Sequence, residues 1–157
     1  MAKLKNEIMA MGIAVNMICV NLFGKMTPLL YMVLGLMGLD LMTHIYGASI
    51  SNQMGVESKK IAKGLYQKIG LCFLILLSLI LDYGVKFLGD LLNLKWYRQI
   101  LFTNLTLGWL FTRELISNLE NLQMAGIELP NFILKALNKT KEEVENKGED
   151  IAQQIEN

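Results

Sequence analysis

Cysteine, histidine and proline are nearly missing from this chain, whose 157 residues hold two, one and two of them. Cys19 and Cys72 lie in different apolar segments without the C-x-x-C spacing of a metal or redox site, and both read as small buried hydrophobes. With His44 as the only histidine there is no Ser/His/Asp or Cys/His arrangement and no H-E-x-x-H pair. A phosphate-cradling glycine loop is missing too, because Gly35 and Gly38 fall inside an apolar run. The chain therefore reads as a non-enzyme that uses no cofactor and no metal. An excess of one charge is also lacking. The formal net charge is +1, and the lysines are grouped by position rather than spread over a face, which argues against nucleic acid as a partner.

Apolar length is what the chain does have. A hydrophobic content of 53%, a mean hydropathy of +0.37 and 13 glycines exceed what a soluble domain of this size carries. Runs at about 29–48, 69–92 and 100–122 each approach or exceed the ~20 residues a helix needs to cross ~30 Å of hydrocarbon. A shorter run covers about 8–23. It begins after Lys3 and Lys5 like a secretory signal, but Asn16 and Asn21 interrupt it and Gly24-Lys25 offers no small-x-small cleavage pattern. It is read as an uncleaved membrane or interfacial helix. The expected fold is all-α, an integral membrane helical bundle of three to four transmembrane helices.

Lysine and arginine set the orientation, since cytoplasmic loops hold the positive excess. Lys3 and Lys5 precede the first run and only Lys25 follows it. Lys59, Lys60, Lys63 and Lys68 lie between the second and third runs, Lys95 and Arg98 between the third and fourth, and Lys135, Lys139, Lys141 and Lys147 follow the fourth. Four spans with both ends inside fit this alternation. Around the second loop Ile61, Leu65 and Ile69 recur every four residues among the lysines, as in a basic interfacial helix that is drawn to anionic lipid or acts as a topology signal. Pro28 suits a first helical turn, Gly126 the left-handed position past a helix end, and Pro130 the start of a short interfacial helix over 130–137. Residues 1–137 are thus expected to form the transmembrane domain and 138–157 a charged cytoplasmic tail. Leu137, Val144, Ile151 and Ile155 hint at a coiled-coil seam in the tail, but Lys141 and Gly148 occupy its other positions, which favours a solvated segment.

Ionisable residues inside the runs are the candidate functional groups, because burying them is costly unless they pair or face water. At 1.5 Å per residue Asp40 lies ~17 Å deep, His44 ~23 Å, and Arg113 with Glu114 ~21 to 23 Å, so the four can meet. An Asp40 to Arg113 pair is expected, and Asp82 can reach Lys86 one turn away. Gly35, Gly38 and Gly108 are expected to allow close helix packing, with Asn104, Gly108 and Thr112 forming a narrow stripe.

The order of these residues resembles the phage-lysis and toxin-secretion holin family. One motif runs through Asp40, Leu41, Met42 and Thr43, then Ala48, Ser58, Gly64, Leu65 and Lys68 ahead of a long apolar span. The other comprises Glu114, Ser117, Glu120 and Asn121, followed by Gly126, Pro130 and Leu137. The likeness covers roughly 34–137. His44 stands where a glycine commonly follows the threonine, and Tyr66 and Gln67 replace more basic residues. The resemblance implies a multi-pass protein of the bacterial cytoplasmic (inner) membrane that forms a homo-oligomer among lipid and opens timed lesions for host cell lysis. Its functional partner would be an endolysin, or in relatives a secreted toxin, with a possible antiholin. Holins often tune timing with two products, and a start at Met9 or Met11 would remove Lys3 and Lys5. The alternative from the residues alone is a small proton- or ion-coupled transporter or channel using Asp40, His44 and Glu114.

Overall fold

Gly24 breaks what would otherwise be one continuous apolar rod. In the computed structural model, which describes residues 1–50, 57–93 and 101–156, helix α1 (Ala2–Phe23) ends at Gly24 with φ 54°, a value glycine adopts without steric cost. A single 3-10 turn (Gly24–Met26) leads into α2 (Thr27–Ile50), with Pro28 in its first turn as expected. Thr27 donates its hydroxyl to the Gly24 carbonyl at 2.7 Å and stabilises the turn. The Tyr31 hydroxyl donates to Asn16 Oδ1 at 2.7 Å. On a straight helix those residues would stand about 22 Å apart, so α1 and α2 form a hairpin.

Helix α3 (Glu57–Leu91) antiparallels both α2 and α4 (Phe102–Met124), and α5 (Asn131–Glu156) folds back along α4. Matched contacts give these directions. Lys68 meets Asp40 in the second half of α2, and Tyr83 meets the Leu22 carbonyl at the end of α1, beside the turn from which α2 starts, so α3 runs against α2. Lys68 meets Glu114 while Asp82 meets Leu101 to Thr103, so α3 also runs against α4. All elements among the described residues are helices.

Two expectations about elements are corrected. The basic segment is not a separate interfacial helix: α3 runs unbroken for 35 residues from Glu57, since neither Gly64 nor Gly70 stops it and no proline intervenes. Nor does the short helix expected over 130–137 end there. The chain turns at Gly126, whose φ is 83°, with Ile127 N–H on the Leu122 carbonyl and Gly126 N–H on that of Gln123, a Schellman closure of α4. After Pro130 one helix of 26 residues continues to Glu156.

The inward stripes keep a seven-residue rhythm. On α3 it is Gly64, Lys68, Leu71, Ile75, Ser78 and Asp82; on α2, Leu30, Val33, Met37 and Asp40; on α4, Thr103, Leu107, Leu110 and Glu114. The apolar middle of the bundle is Val33, Met37, Ile75, Leu79, Leu107 and Leu110, closed by Phe23 and Leu30, with Cys19 and Cys72 half-buried against it. Polar layers lie at either end. Outside, the pattern inverts, with Ile13, Met17, Phe73, Leu77, Ile80 and Phe87 among many large apolar side chains left exposed. The stretches Lys3–Gly47 and Ile61–Leu91 are long and apolar enough to cross a membrane, with only 6% and 22% of their apolar windows buried. Helix α4, expected as a span, carries Arg113, Glu114 and Glu120 and is the helix the others enclose.

Candidate functional site: a buried ion cluster

Between α2, α3 and α4 one lysine is held by two carboxylates. Lys68 Nζ lies 2.8 Å from Asp40 Oδ2 and donates to Glu114 Oε2. The Glu114 side chain is 1% exposed and those of Asp40 and Lys68 12% and 13%, so solvent does little to screen the three charges. Two carboxamides complete the cluster. Asn121 Nδ2 donates to Asp40 Oδ1 at 3.0 Å and to Thr43 Oγ1 at 3.1 Å. Asn118 Nδ2 donates to the carbonyls of Glu114 (2.7 Å) and Leu36 (3.1 Å), joining α4 to α2. The Thr43 hydroxyl, 3.2 Å from both Asn118 Oδ1 and the Asp40 carbonyl, closes the ring. Most of the polar groups that would be costly in lipid are thus satisfied by one another.

The expected Asp40 to Arg113 pair does not form. Adjacent residues on a helix project about 100° apart, and with Glu114 facing the core, Arg113 turns to the rim. There its guanidinium stands 3.8 Å from Glu114 Oε1 and lies over the Trp109 ring at 5.5 Å. Glu114 Oε1 is buried and accepts no hydrogen bond. The cluster therefore combines two carboxylates, one buried lysine and one peripheral arginine.

A cavity of about 310 Å³ opens beside it, lined by Asp40, His44, Lys63, Gln67, Ser117 and Asn121. His44 and Ser117 are half-buried there, whereas Glu120 is exposed and points away. Asp82 sits at the opposite end of the bundle. Its carboxylate accepts the backbone N–H groups of Leu101 (3.0 Å), Phe102 (3.0 Å) and Thr103 (2.7 Å), capping α4 from a different helix. The side chains of Lys59 and Lys60 lie outside the described part.

The glycines sort differently from expectation. Gly35 and Gly38 face outward, with no atom within 4 Å of an added Cβ, so they pack nothing here. Gly47 is the close-approach position: a Cβ there would sit 2.9 Å from the Asn121 carbonyl oxygen. Gly108 contacts α5 through Val144. Sequence reasoning also missed Lys68 as a core residue and Asn118 altogether. The signals were the four-residue steps from Gly64 to Lys68 and from Glu114 to Asn118.

Among the described residues no group of three His, Cys, Asp or Glu side chains converges as a metal site. No curated protein and no solved structure matches the chain. A family model does: that of the bacteriophage holin family, over residues 17–142, a stretch that contains the whole buried cluster. That family is not one of enzymes, and the two apolar helical stretches agree with a membrane protein. With most of its length matched, this chain belongs to the bacteriophage holin family.

Proposed function

We propose that the protein accumulates in the bacterial cytoplasmic membrane as a multi-pass homo-oligomer and opens timed lesions through which an endolysin, or in some settings a toxin, leaves the cell. The observation that carries this reading is the inverted bundle: an ion cluster inside, and large apolar side chains outside. A charge facing lipid costs about 2.5 to 3.5 kcal/mol at the centre of a spanning helix, so Asp40, Lys68 and Glu114 stay in the interior while the monomer is surrounded by lipid. Contacts of this kind are exchangeable. Polar groups that satisfy one another within one copy can satisfy those of a second copy, or line water, whereas greasy surfaces offer little specificity.

The hairpin at Gly24 supports passage of α1 and α2 in opposite directions, with α3 and α4 as further passes. At 35 residues α3 is about 52 Å long and overshoots the ~30 Å hydrocarbon. The overshoot accommodates Lys59, Lys60 and Lys63 on the cytoplasmic side, in line with the charge distribution. An antiholin would act on the same assembly.

A second reading, a proton- or ion-coupled channel or transporter, draws on the cavity that reaches Asp40 and His44. One experiment separates the two. The chain is expressed in bacteria together with a cytoplasmic reporter enzyme, and viability, membrane potential and enzyme release are followed. Abrupt release of the folded enzyme after a lag is expected. Loss of potential with the enzyme retained would favour the narrow conductor instead.

A further inference from the structure

Helix α5 lies on α4 as a poorly matched cover. Its half-buried seam is Leu137, Lys141, Val144, Gly148 and Ile151, spaced 4, 3, 4 and 3, and it runs antiparallel to α4. The Val144 methyls stand 3.8 and 3.9 Å from the position of a Cβ on Gly108, Leu105 reaches Gly148, and Trp109 Nε1 donates to Glu145 Oε1 at 2.7 Å. The fit is loose. A cavity of about 220 Å³ remains between Leu74, Leu105, Thr106, Trp109, Val144 and Gly148, and the seam spends two positions on a lysine and a glycine.

The other face of α5 cannot meet lipid. Over Asn131–Glu156 the helix carries four lysines and six carboxylates, and Lys139, Glu142, Glu143, Lys147, Glu149 and Asp150 are exposed. Yet α5 covers the stretch of α4 from Leu105 to Trp109, level with the apolar middle of the bundle formed by Leu107 and Leu110. A docked α5 and full immersion of α4 in lipid therefore exclude each other. The excess of carboxylates also leaves a released α5 without attraction for an anionic membrane surface, so water receives it.

From this mismatch we propose that α5 is a displaceable brake: docked, it keeps α4 from full immersion in the bilayer, and its release at the Gly126 turn precedes lesion formation. This rests on the lesion-forming function proposed above. Released, α5 bares the Leu105, Gly108 and Trp109 face of α4.

The test uses the full chain with Cys19→Ser and Cys72→Ser, to which Gly108→Cys and Val144→Cys are added, positions close enough for a disulfide that staples α5 to α4. The protein is reconstituted into phosphatidylglycerol and phosphatidylethanolamine vesicles loaded with fluorescent dextran. Oxidised protein is expected to lose dextran release and to recover it on adding reductant, with both single-cysteine forms releasing under either condition. A second variant, Val144→Asp, weakens docking without a staple and is expected to advance lysis in cells. Equal release from stapled and reduced protein, or lysis by Val144→Asp no earlier than wild type, overturns the brake. Absence of dextran release from the unstapled chain in any state removes the lesion function itself, and the brake with it.

Discussion

Lys68 is the counter-charge that two buried carboxylates share, and its removal should be more damaging than removal of either acid. Lys68→Met leaves Asp40 and Glu114 facing each other without the cation they share, and breaking a buried pair costs about 3 to 5 kcal/mol. Accumulation in the membrane should fall sharply, and adding Asp40→Asn and Glu114→Gln should recover much of it. Immunoblots of membrane fractions and protease resistance in detergent check this; a Lys68→Met protein as abundant and resistant as wild type would remove the cluster from any part in stability. Arg113→Gln, at the rim, should be milder. A paired contrast concerns glycine. Gly47→Ala drives a methyl against the Asn121 carbonyl and should destabilise by about 1 to 3 kcal/mol. Gly35→Ala, in open space within a helix, should stabilise by about 0.5 to 1 kcal/mol. Thermal unfolding in detergent reads both signs. Asp40 and Glu114 are legible in the sequence because a charge inside an apolar run is conspicuous, and Thr43 and Asn121 through the motifs of the family resemblance. Lys68 was not, because among Lys59, Lys60 and Lys63 it looks like one more surface cation; only the register of α3 against α2 brings it inward. Gly47 escaped for a related reason, since its partner is a backbone carbonyl 74 positions away in the chain.

At the scale of elements, the periodic runs locate the helices well, and the two turn residues Gly126 and Pro130 fall where the chain reverses. What local pattern does not encode is where one helix hands over to the next role. The lysine-rich segment and the apolar span share one heptad stripe from Gly64 to Asp82, so they are one helix, although their compositions differ. In α5 the seam was visible at Leu137, Val144 and Ile151, and the intervening Lys141 and Gly148 argued against it; packing on α4 tolerates both because the contact is loose and Gly148 lets Leu105 approach. Asp82 shows the same limit. Its sequence neighbour Lys86 suggested a local ion pair, while the fold gives its carboxylate to the N-terminus of α4. Asp82→Ala should cost at least the 0.5 to 2 kcal/mol of a lost helix cap, roughly the upper end because the site is buried. Hydrogen exchange at the amides of Leu101, Phe102 and Thr103 should accelerate, with Asp82→Asn intermediate. Unchanged exchange at those three amides in Asp82→Ala would mean that other groups cap α4.

For the whole molecule, the arrangement of charge along the bundle axis is expected to couple the proposed assembly to the membrane potential. Asp40, Lys68 and Glu114 form a layer toward one end of the bundle and Asp82 lies at the other, separated by the apolar middle of Val33, Ile75, Leu107 and Leu110. Moving one charge through the full potential changes its energy by about 2.3 kcal/mol per 100 mV, so partial displacement of several charges in each copy gives a substantial sum over a cluster of copies. Collapse of the potential removes whatever part of that energy holds the closed arrangement. If lesions form only once many copies have gathered, the response should be steep both in time and in protein density. Lysis should therefore follow a lag, and an uncoupler added during the lag should bring it forward, with the advance reduced in a variant in which Lys68, Asp40 and Glu114 are all neutral. Turbidity and reporter-enzyme release after timed uncoupler addition measure this. Leakage that grows in proportion to protein from the outset and ignores the uncoupler would separate the buried cluster from triggering and leave it a structural role alone.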